Sequence, residues 1–388
     1  MKKSIISIIT CLLAIVNLEA QNGGIDNIVG TNHIIDSKIL NEERQIQIYL
    51  PPNYEDSNEA YPVLYILDGQ RFFLYAVSLS QSFKQFKLTP EFIIVGINNS
   101  YPQRFQNLGD GKEKFMEFIK SELTPYIENK FRAKKEKLLF GWEFGGSLVF
   151  NTMLSNPSLF NGYIIASPYP IMDKIKELNS VSELKTSLYF AVSPDEYEVK
   201  HSTEKLDSLL TKKNISGLDW SYLKLDIEKH RSTGYPTLYH GIRNYFKYYQ
   251  EFETNNIEKF INSGGLNYAL NYTKERALRH GFEQELSLWS RHTIIRSAIR
   301  AKDFYHFETL LHALNRKSFV NELISNDMDY AASDIAAFYE KNKSYNKAIE
   351  IYKLLLEKHP SSERLLDKIK KANKALDVLN LNIKKRTN

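Results

Sequence analysis

Apolar residues in the first two thirds of the chain fall into short runs that predict strands. Residues 45–50 alternate between polar and apolar side chains, which is typical of a strand with one buried face. The runs 61–67 and 92–97 are almost wholly apolar and end at turn residues, as expected of strands buried on both faces. The same criteria predict an edge strand near residues 34–35 and further strands at 137–140, 163–166, 187–192 and 220–225.

The segments between these runs have the spacing of amphipathic helices. In residues 112–131 apolar side chains recur every three or four positions, and Pro125 predicts a kink or a break. Strands that alternate with helices favour an α/β fold, a mostly parallel central sheet with helices on both faces. The other helices are predicted at 70–86, 146–155, 202–210 and 236–252.

After about residue 256 the pattern becomes helical throughout, which predicts a domain boundary between residues 255 and 256. Residues 329–362 carry the small, large and proline positions of a 34-residue tetratricopeptide-like helix–turn–helix repeat. An unrelated helical hairpin is the alternative. We expect a capping helix at 363–379 and degenerate partner helices at 265–316. The positions that carry the pattern are Ile335, Ala336, Tyr339, Ala348, Tyr352 and Pro360.

The first 20 residues predict a secretory signal peptide. Lys2 and Lys3 precede the mostly apolar run 4–16, and Ala20 supplies a small residue before the expected cut. We therefore expect export to the periplasm or the extracellular space, with an α/β domain over 21–255 and a helical domain over 256–388. Cys11 is the only cysteine, so the mature chain would contain no disulfide and no thiolate metal site. A buried N-terminal helix, a membrane anchor and a lipoprotein at Cys11 are the alternatives.

Charge and hydropathy exclude two classes of partner. The chain of 388 residues has 51 basic and 46 acidic side chains and a net charge of +5, with no long run of one sign. Such a balance predicts no nucleic-acid surface. No segment after the signal peptide is apolar enough to predict a membrane span.

Residues 138–147 are the most informative stretch for chemistry. An apolar run meets a turn bracketed by Gly141 and Gly145, and a helical segment follows, which is the layout of a nucleophile elbow, Gly-x-Ser-x-Gly. We expect glycine at both positions because the backbones crowd there. The central residue of such an elbow is usually serine, but in this chain it is Glu143.

Polar side chains follow the predicted strands at the edge where α/β sheets bind ligands. These are Asp68, Asn98, Glu143, Asp195 and His230. The order of Glu143, Asp195 and His230 is that of nucleophile, acid and histidine in a hydrolase triad. Glu196 is the alternative acid. The alternatives without a catalytic role are a solvated turn carboxylate for Asp195 and an ordinary loop histidine for His230.

Several long motifs resemble the esterase D and enterochelin-esterase-like family over about residues 40–250. They are the segments 44–54, 61–69, 94–97, 141–146, 156–160, 166–168 and 230–242. The resemblance implies an α/β-hydrolase fold and hydrolysis of small-molecule carboxyl esters without a metal or an organic cofactor. It also implies an oxyanion hole made by the backbone N–H of Phe144 and that of Gly69 or Gln70. Some secreted bacterial members carry a C-terminal helical repeat region, which this chain resembles from Gly264 onward.

The chain departs from this family where the chemistry occurs. Glu143 replaces the family's serine and Trp142 replaces its histidine, while Ser147 lies one helical turn too late to substitute. The family's arginine-rich stretch is reduced to residues 101–104, with Arg104 as its one arginine.

Three hypotheses follow from Glu143, and a fourth follows from the C-terminal helical region. In the first, its carboxylate pairs with His230 and fills the oxyanion hole, serine-type hydrolysis is lost, and the site binds a ligand or partner. In the second, Glu143 attacks the substrate or activates a water. In the third, it is the general base of another reaction. In the fourth, the protein interacts with a protein partner through its helical region.

Overall fold

The computed structural model describes residues 29–387, with side chains to residue 382. The predicted signal peptide lies outside these residues. The chain divides between Phe246 and Lys247 into two compact units, where the sequence predicted a boundary after residue 255. We call them the N-terminal unit and the helical unit.

An eight-stranded, mostly parallel sheet forms the centre of the N-terminal unit, in the order β1-β2-β4-β3-β5-β6-β7-β8. The first two strands run antiparallel to their neighbours, and all the other neighbours are parallel. The strands are β1 Thr31–Ser37, β2 Glu42–Tyr49, β3 Tyr61–Leu67, β4 Ile93–Ile97, β5 Ala133–Trp142, β6 Gly162–Ala166, β7 Glu183–Val192 and β8 Ser216–Lys224. Every residue of β3, β4 and β6 is buried, so both faces of the sheet are covered there.

The helices of this unit connect the strands, as the alternating pattern predicts. Just before Pro125, a π-helical turn, Ile119–Leu123, separates two short α-helices and forms the predicted break. The α-helices are α1 Gly69–Gln85, α2 Gln103–Leu108, α3 Lys112–Phe118, α4 Thr124–Lys130, α5 Phe144–Ser155, α6 Met172–Ile175, α7 Tyr197–Lys212 and α8 Gly234–Tyr245. A 3-10 helix, Lys176–Ser180, follows α6.

The helical unit contains no strand between residues 247 and 387. A helical hairpin, α14 and α15, occupies the predicted repeat, and the small residues Ala336 and Ala348 are fully buried in its core. Its assignment as a tetratricopeptide-like repeat stays a prediction. The helices are α9 Ile257–Asn262, α10 Gly265–His280, α11 Leu288–Ala301, α12 Phe304–Ala313, α13 Arg316–Ser325, α14 Asp329–Lys341, α15 Tyr345–Lys358 and α16 Glu363–Thr387. Among the described residues, no helix has the length and apolarity that a membrane span needs.

Candidate functional site

The register of the parallel strands brings several loops to one edge of the sheet. Leu67 pairs with Ile97, and Trp142 pairs with Ala166, so their strands end side by side. The loops that follow these strands therefore meet at the carboxyl edge.

Glu143 adopts the strained backbone of a nucleophile elbow. Its φ of 58° and ψ of −118° lie outside the regions that residues with a side chain favour. The strand and helix hold it there, because its N–H donates to the Ala166 carbonyl at 3.0 Å and its carbonyl accepts from the Ser147 N–H at 3.0 Å. The elbow geometry thus survives the replacement of serine by glutamate.

The two glycines of the elbow differ in how much room they have. A Cβ at Gly141 would lie 2.3 Å from the Gly145 carbonyl oxygen, so glycine is required there. A Cβ at Gly145 would approach Leu67 at an ordinary 3.6 Å. The expectation of crowding is right for Gly141 and wrong for Gly145.

Arg104 of α2 joins two carboxylates at this edge. Its Nε and one terminal nitrogen each donate to a different oxygen of Asp68, both at 2.9 Å. The other terminal nitrogen donates to Glu143 Oε2, also at 2.9 Å. Asp68 is fully buried, whereas the Glu143 side chain is 23% exposed. Glu143 is therefore hydrogen-bonded to a guanidinium whose position is fixed by the buried Asp68 carboxylate.

The charges around Arg104 support this arrangement. Burial acts to lower the pKa of Arg104, but the hydrogen bonds and charges of Asp68 and Glu143 outweigh it and raise that pKa above its ordinary value. Burial raises the pKa of the Asp68 carboxyl, and the hydrogen bonds from Arg104 oppose that rise. The forked geometry is that of a charge-assisted pair.

His230 contacts Glu196, and this corrects the sequence-based assignment of the acid to Asp195. His230 Nδ1 lies 2.5 Å from Glu196 Oε1. Glu196 Oε2 accepts from the Ser193 N–H at 2.9 Å and from the Ser167 hydroxyl at 2.7 Å. Asp195 is exposed, because the chain turns after β7 and directs the second of the two acidic residues inward. The sequence had left Glu196 open as the alternative.

Glu143 and His230 lie near each other without a hydrogen bond. The distance from His230 Nε2 to Glu143 Oε1 is 3.8 Å, beyond hydrogen-bonding range. The pairing expected from the sequence is therefore present as an ion-pair contact at 3.8 Å, while the hydrogen-bonded partner of Glu143 is Arg104.

The backbone N–H groups expected to form an oxyanion hole lie at the starts of two helices. Phe144 is the first residue of α5, and Gly69 and Gln70 are the first two of α1. The first N–H groups of a helix have no partner within it. The Gln70 side chain exchanges two hydrogen bonds with the Asn99 backbone, at 2.8 and 3.0 Å. No hydrogen bond in residues 29–387 joins the Glu143 carboxylate to these N–H groups, and the expectation that it fills the hole stays a prediction.

Trp142 and Ser147 are accounted for by other contacts. The Trp142 indole N–H donates to the His230 carbonyl at 3.0 Å, and the two rings lie 4.9 Å apart. Trp142 thus holds the loop of His230 through a hydrogen bond and a ring contact. The Ser147 hydroxyl donates to the Pro170 carbonyl at 2.6 Å, which directs it away from the elbow.

Sequence reasoning missed the role of Arg104, whose two carboxylate partners lie 36 and 39 residues away in the sequence. It had been noted only as the last trace of an arginine-rich stretch.

In the part of the chain that the structure describes, no group of three or more His, Cys, Asp or Glu residues is arranged to hold a metal ion.

Comparisons with known proteins support the fold of the N-terminal unit. Residues 37–211 match the family model described as putative esterase. The ferri-bacillibactin esterase BesA of Bacillus subtilis is 27% identical, over 39% of this chain and 63% of its own length. An IroE-like serine hydrolase from Shewanella oneidensis is 24% identical with a TM-score of 0.55, covering 72% of this chain and 97% of its own.

One structural similarity extends through both units. An uncharacterised protein from Capnocytophaga ochracea superposes with a TM-score of 0.56 at 16% identity, over 89% of this chain and 99% of its own. At that identity the likeness concerns the fold alone. The family match, the parallel sheet and the elbow together identify the N-terminal unit of this chain as an esterase-like α/β-hydrolase.

Proposed function

We propose that the carboxyl-edge site of the N-terminal unit binds a small-molecule ligand and has lost serine-type ester hydrolysis. The observation that carries the proposal is the ion pair between Arg104 and Glu143, backed by the buried Asp68. The glutamate stands where the attacking hydroxyl would stand, and one of its oxygens is already bound by a guanidinium.

A carboxylate in this setting is a poor nucleophile. The hydrogen bond from Arg104 to Glu143 Oε2 draws negative charge from the carboxylate and so weakens the remaining oxygen, Oε1, as a nucleophile. Glutamate is also longer than serine, and a misplacement of about 1 Å can lower a rate by about 100-fold. The retained N–H groups at the starts of α1 and α5 instead suit the binding of a ligand oxygen.

A second candidate is hydrolysis by an activated water, and the hydrogen bond between Glu196 and His230 favours it. A carboxylate that orients a histidine is the arrangement of a general base. An oxygen atom could lie about 2.8 Å from both Glu143 Oε1 and His230 Nε2, because those atoms are 3.8 Å apart. In this mechanism His230 takes the proton of the water and Glu143 holds the water in place.

A panel of short-chain aryl esters distinguishes the two candidates. If the site only binds ligands, neither wild type nor His230→Ala hydrolyses any ester above background. Glu143→Ser alone gains activity. If water is activated, wild type is active, and both Glu143→Gln and His230→Ala lose about 100-fold or more. An active wild type that neither substitution impairs would exclude both.

We also propose export, on the strength of Lys2, Lys3 and the apolar run that follows them. Mass spectrometry of the mature protein from the producing cells would test this. A chain that begins near Gln21 supports export, and an intact Met1 in the mature protein contradicts it.

A further inference from the structure

A cavity in the helical unit combines features that the site in the N-terminal unit does not explain. It has a volume of about 200 Å³ and lies between α11 and α14. Its lining is apolar at the base and charged at the rim. The residues are His292, Ile295, Arg296, Ile299 and Arg300 of α11 and Ala331, Asp334 and Ile335 of α14.

Two arginines dominate the charge of this cavity. Arg296 and Arg300 are four residues apart on α11 and therefore lie on the same face of the helix. Among the described residues, no carboxylate lies within ion-pair distance of either side chain. Other arginines of the unit do pair, as Arg291 does with Glu322 at 2.6 Å and Arg316 with Glu350 at 2.8 Å. Asp334 is the only acidic residue of the lining, so the cavity has an excess of positive charge.

A buried histidine beside the arginines has an unsatisfied nitrogen. His292 is only 3% exposed, and its Nδ1 has no hydrogen-bond partner in the described part of the chain. Burial lowers the pKa of His292, and the charge of Arg296 lowers it further. The arginines therefore carry the positive charge at neutral pH. The rings of Trp289 and Tyr330 lie 5.3 and 5.6 Å from the histidine ring.

We propose that this cavity binds the carboxylate of a protein partner's peptide segment. A guanidinium matches a carboxylate through paired N–H donors, and two of them on one helix face offer more donors than one carboxylate needs. A volume of about 200 Å³ accommodates one acidic side chain or one chain terminus, and not a longer segment. Trp289 is 37% and Tyr330 53% exposed, so the flanking apolar part of the peptide can pack beside the cavity.

The carboxylate has two sources, a C-terminus and an acidic side chain, and small probes separate them. N-acetylglycine represents the first and N-acetylglutamate α-amide the second, with N-acetylglycinamide and N-acetylglutamine amide as uncharged counterparts. The full chain is titrated with each probe and with inorganic phosphate, while NMR follows the Trp289 indole N–H and the His292 ring. We expect saturable shifts in the millimolar range with at least one carboxylate and at least tenfold weaker binding of its amide.

Substitutions in the cavity complete the test. The double variant Arg296→Gln/Arg300→Gln should weaken carboxylate binding at least tenfold, and Asp334→Asn should tighten it because it removes the opposing charge. Arg364→Gln changes an exposed arginine of α16 outside the cavity and should have no effect. The proposal is overturned if no carboxylate saturates, if amides bind equally well, if phosphate binds more tightly, or if the double variant binds as wild type does.

Discussion

Asp68 and Glu143 occupy the same position in two strand-to-helix turns of one sheet, yet their surroundings differ. Each follows a buried strand, precedes a helix and has a φ of 58°, and each accepts a hydrogen bond from Arg104. Asp68 has a left-handed helical backbone, which aspartate tolerates, and is fully buried. Glu143 has a ψ of −118° and stays partly open beside His230.

This difference indicates that the Asp68 carboxylate has a structural role, whereas the Glu143 carboxylate is accessible to a ligand. Asp68 fixes Arg104 by accepting hydrogen bonds from two of its nitrogens. Glu143 accepts a hydrogen bond from the third nitrogen of the same guanidinium. Strain in a protein is commonly retained at functional positions. On these grounds we propose that the second turn carries the functional site and that the first turn supports it.

The largest expected effect comes from removing the shared arginine. Arg104→Ala would leave the buried Asp68 without its ion-pair partner, and breaking such a pair costs about 3–5 kcal/mol of the free energy of unfolding. Hydrogen exchange measured on peptides from β3 and β5 reports this loss for the N-terminal unit alone. Arg71→Ala, which removes an exposed arginine above Trp142, should cost less than about 1 kcal/mol. Equal losses of stability in the two variants would contradict the structural role assigned to the Arg104–Asp68 pair.

A smaller effect is expected where each helix begins. Gly69 follows Asp68, and a Cβ there would lie 2.7 Å from the Gly96 backbone, whereas the equivalent residue of the second turn, Phe144, carries a side chain. Gly69→Ala should therefore cost about 1–3 kcal/mol of the free energy of unfolding. Gly145→Ala should leave it unchanged or raise it by up to about 1 kcal/mol, as alanine does in a helix. Urea unfolding of the two variants compares them, and a costlier Gly145→Ala would contradict the packing described for the turns.

The backbone strain at Glu143 should be measurable as a difference between two truncations. Glu143→Ala and Glu143→Gly both remove the carboxylate, but only glycine relaxes at a φ of 58° and a ψ of −118°. The glycine variant should be more stable than the alanine variant by about 1 kcal/mol or slightly more. Thermal unfolding of both proteins would show the difference. Identical stabilities would mean that the elbow stores no strain.

The sheet and the position of the elbow could be predicted because each rests on local patterns. The apolar runs of β3 and β4 and the turn around Gly141 are contiguous in sequence. The partner of His230 could not be chosen between Asp195 and Glu196, because the backbone after β7 decides which of two adjacent carboxylates turns inward.

Arg104 could not be assigned from the sequence for a different reason. It meets Asp68 from 36 residues away and Glu143 from 39 residues away. Those contacts depend on how α2 packs against the carboxyl edge of the sheet. No spacing in the sequence encodes that packing.

Labelling with a fluorophosphonate tests most directly the claim that the elbow keeps the frame of a serine hydrolase but not its nucleophile. The reagent forms a covalent bond with a serine only when a histidine base and oxyanion donors surround it. Intact-mass spectrometry should detect no adduct on wild type, one adduct at residue 143 of Glu143→Ser, and none on Glu143→Ser/His230→Ala. A labelled wild type, or a Glu143→Ser protein that stays unlabelled, would contradict this account.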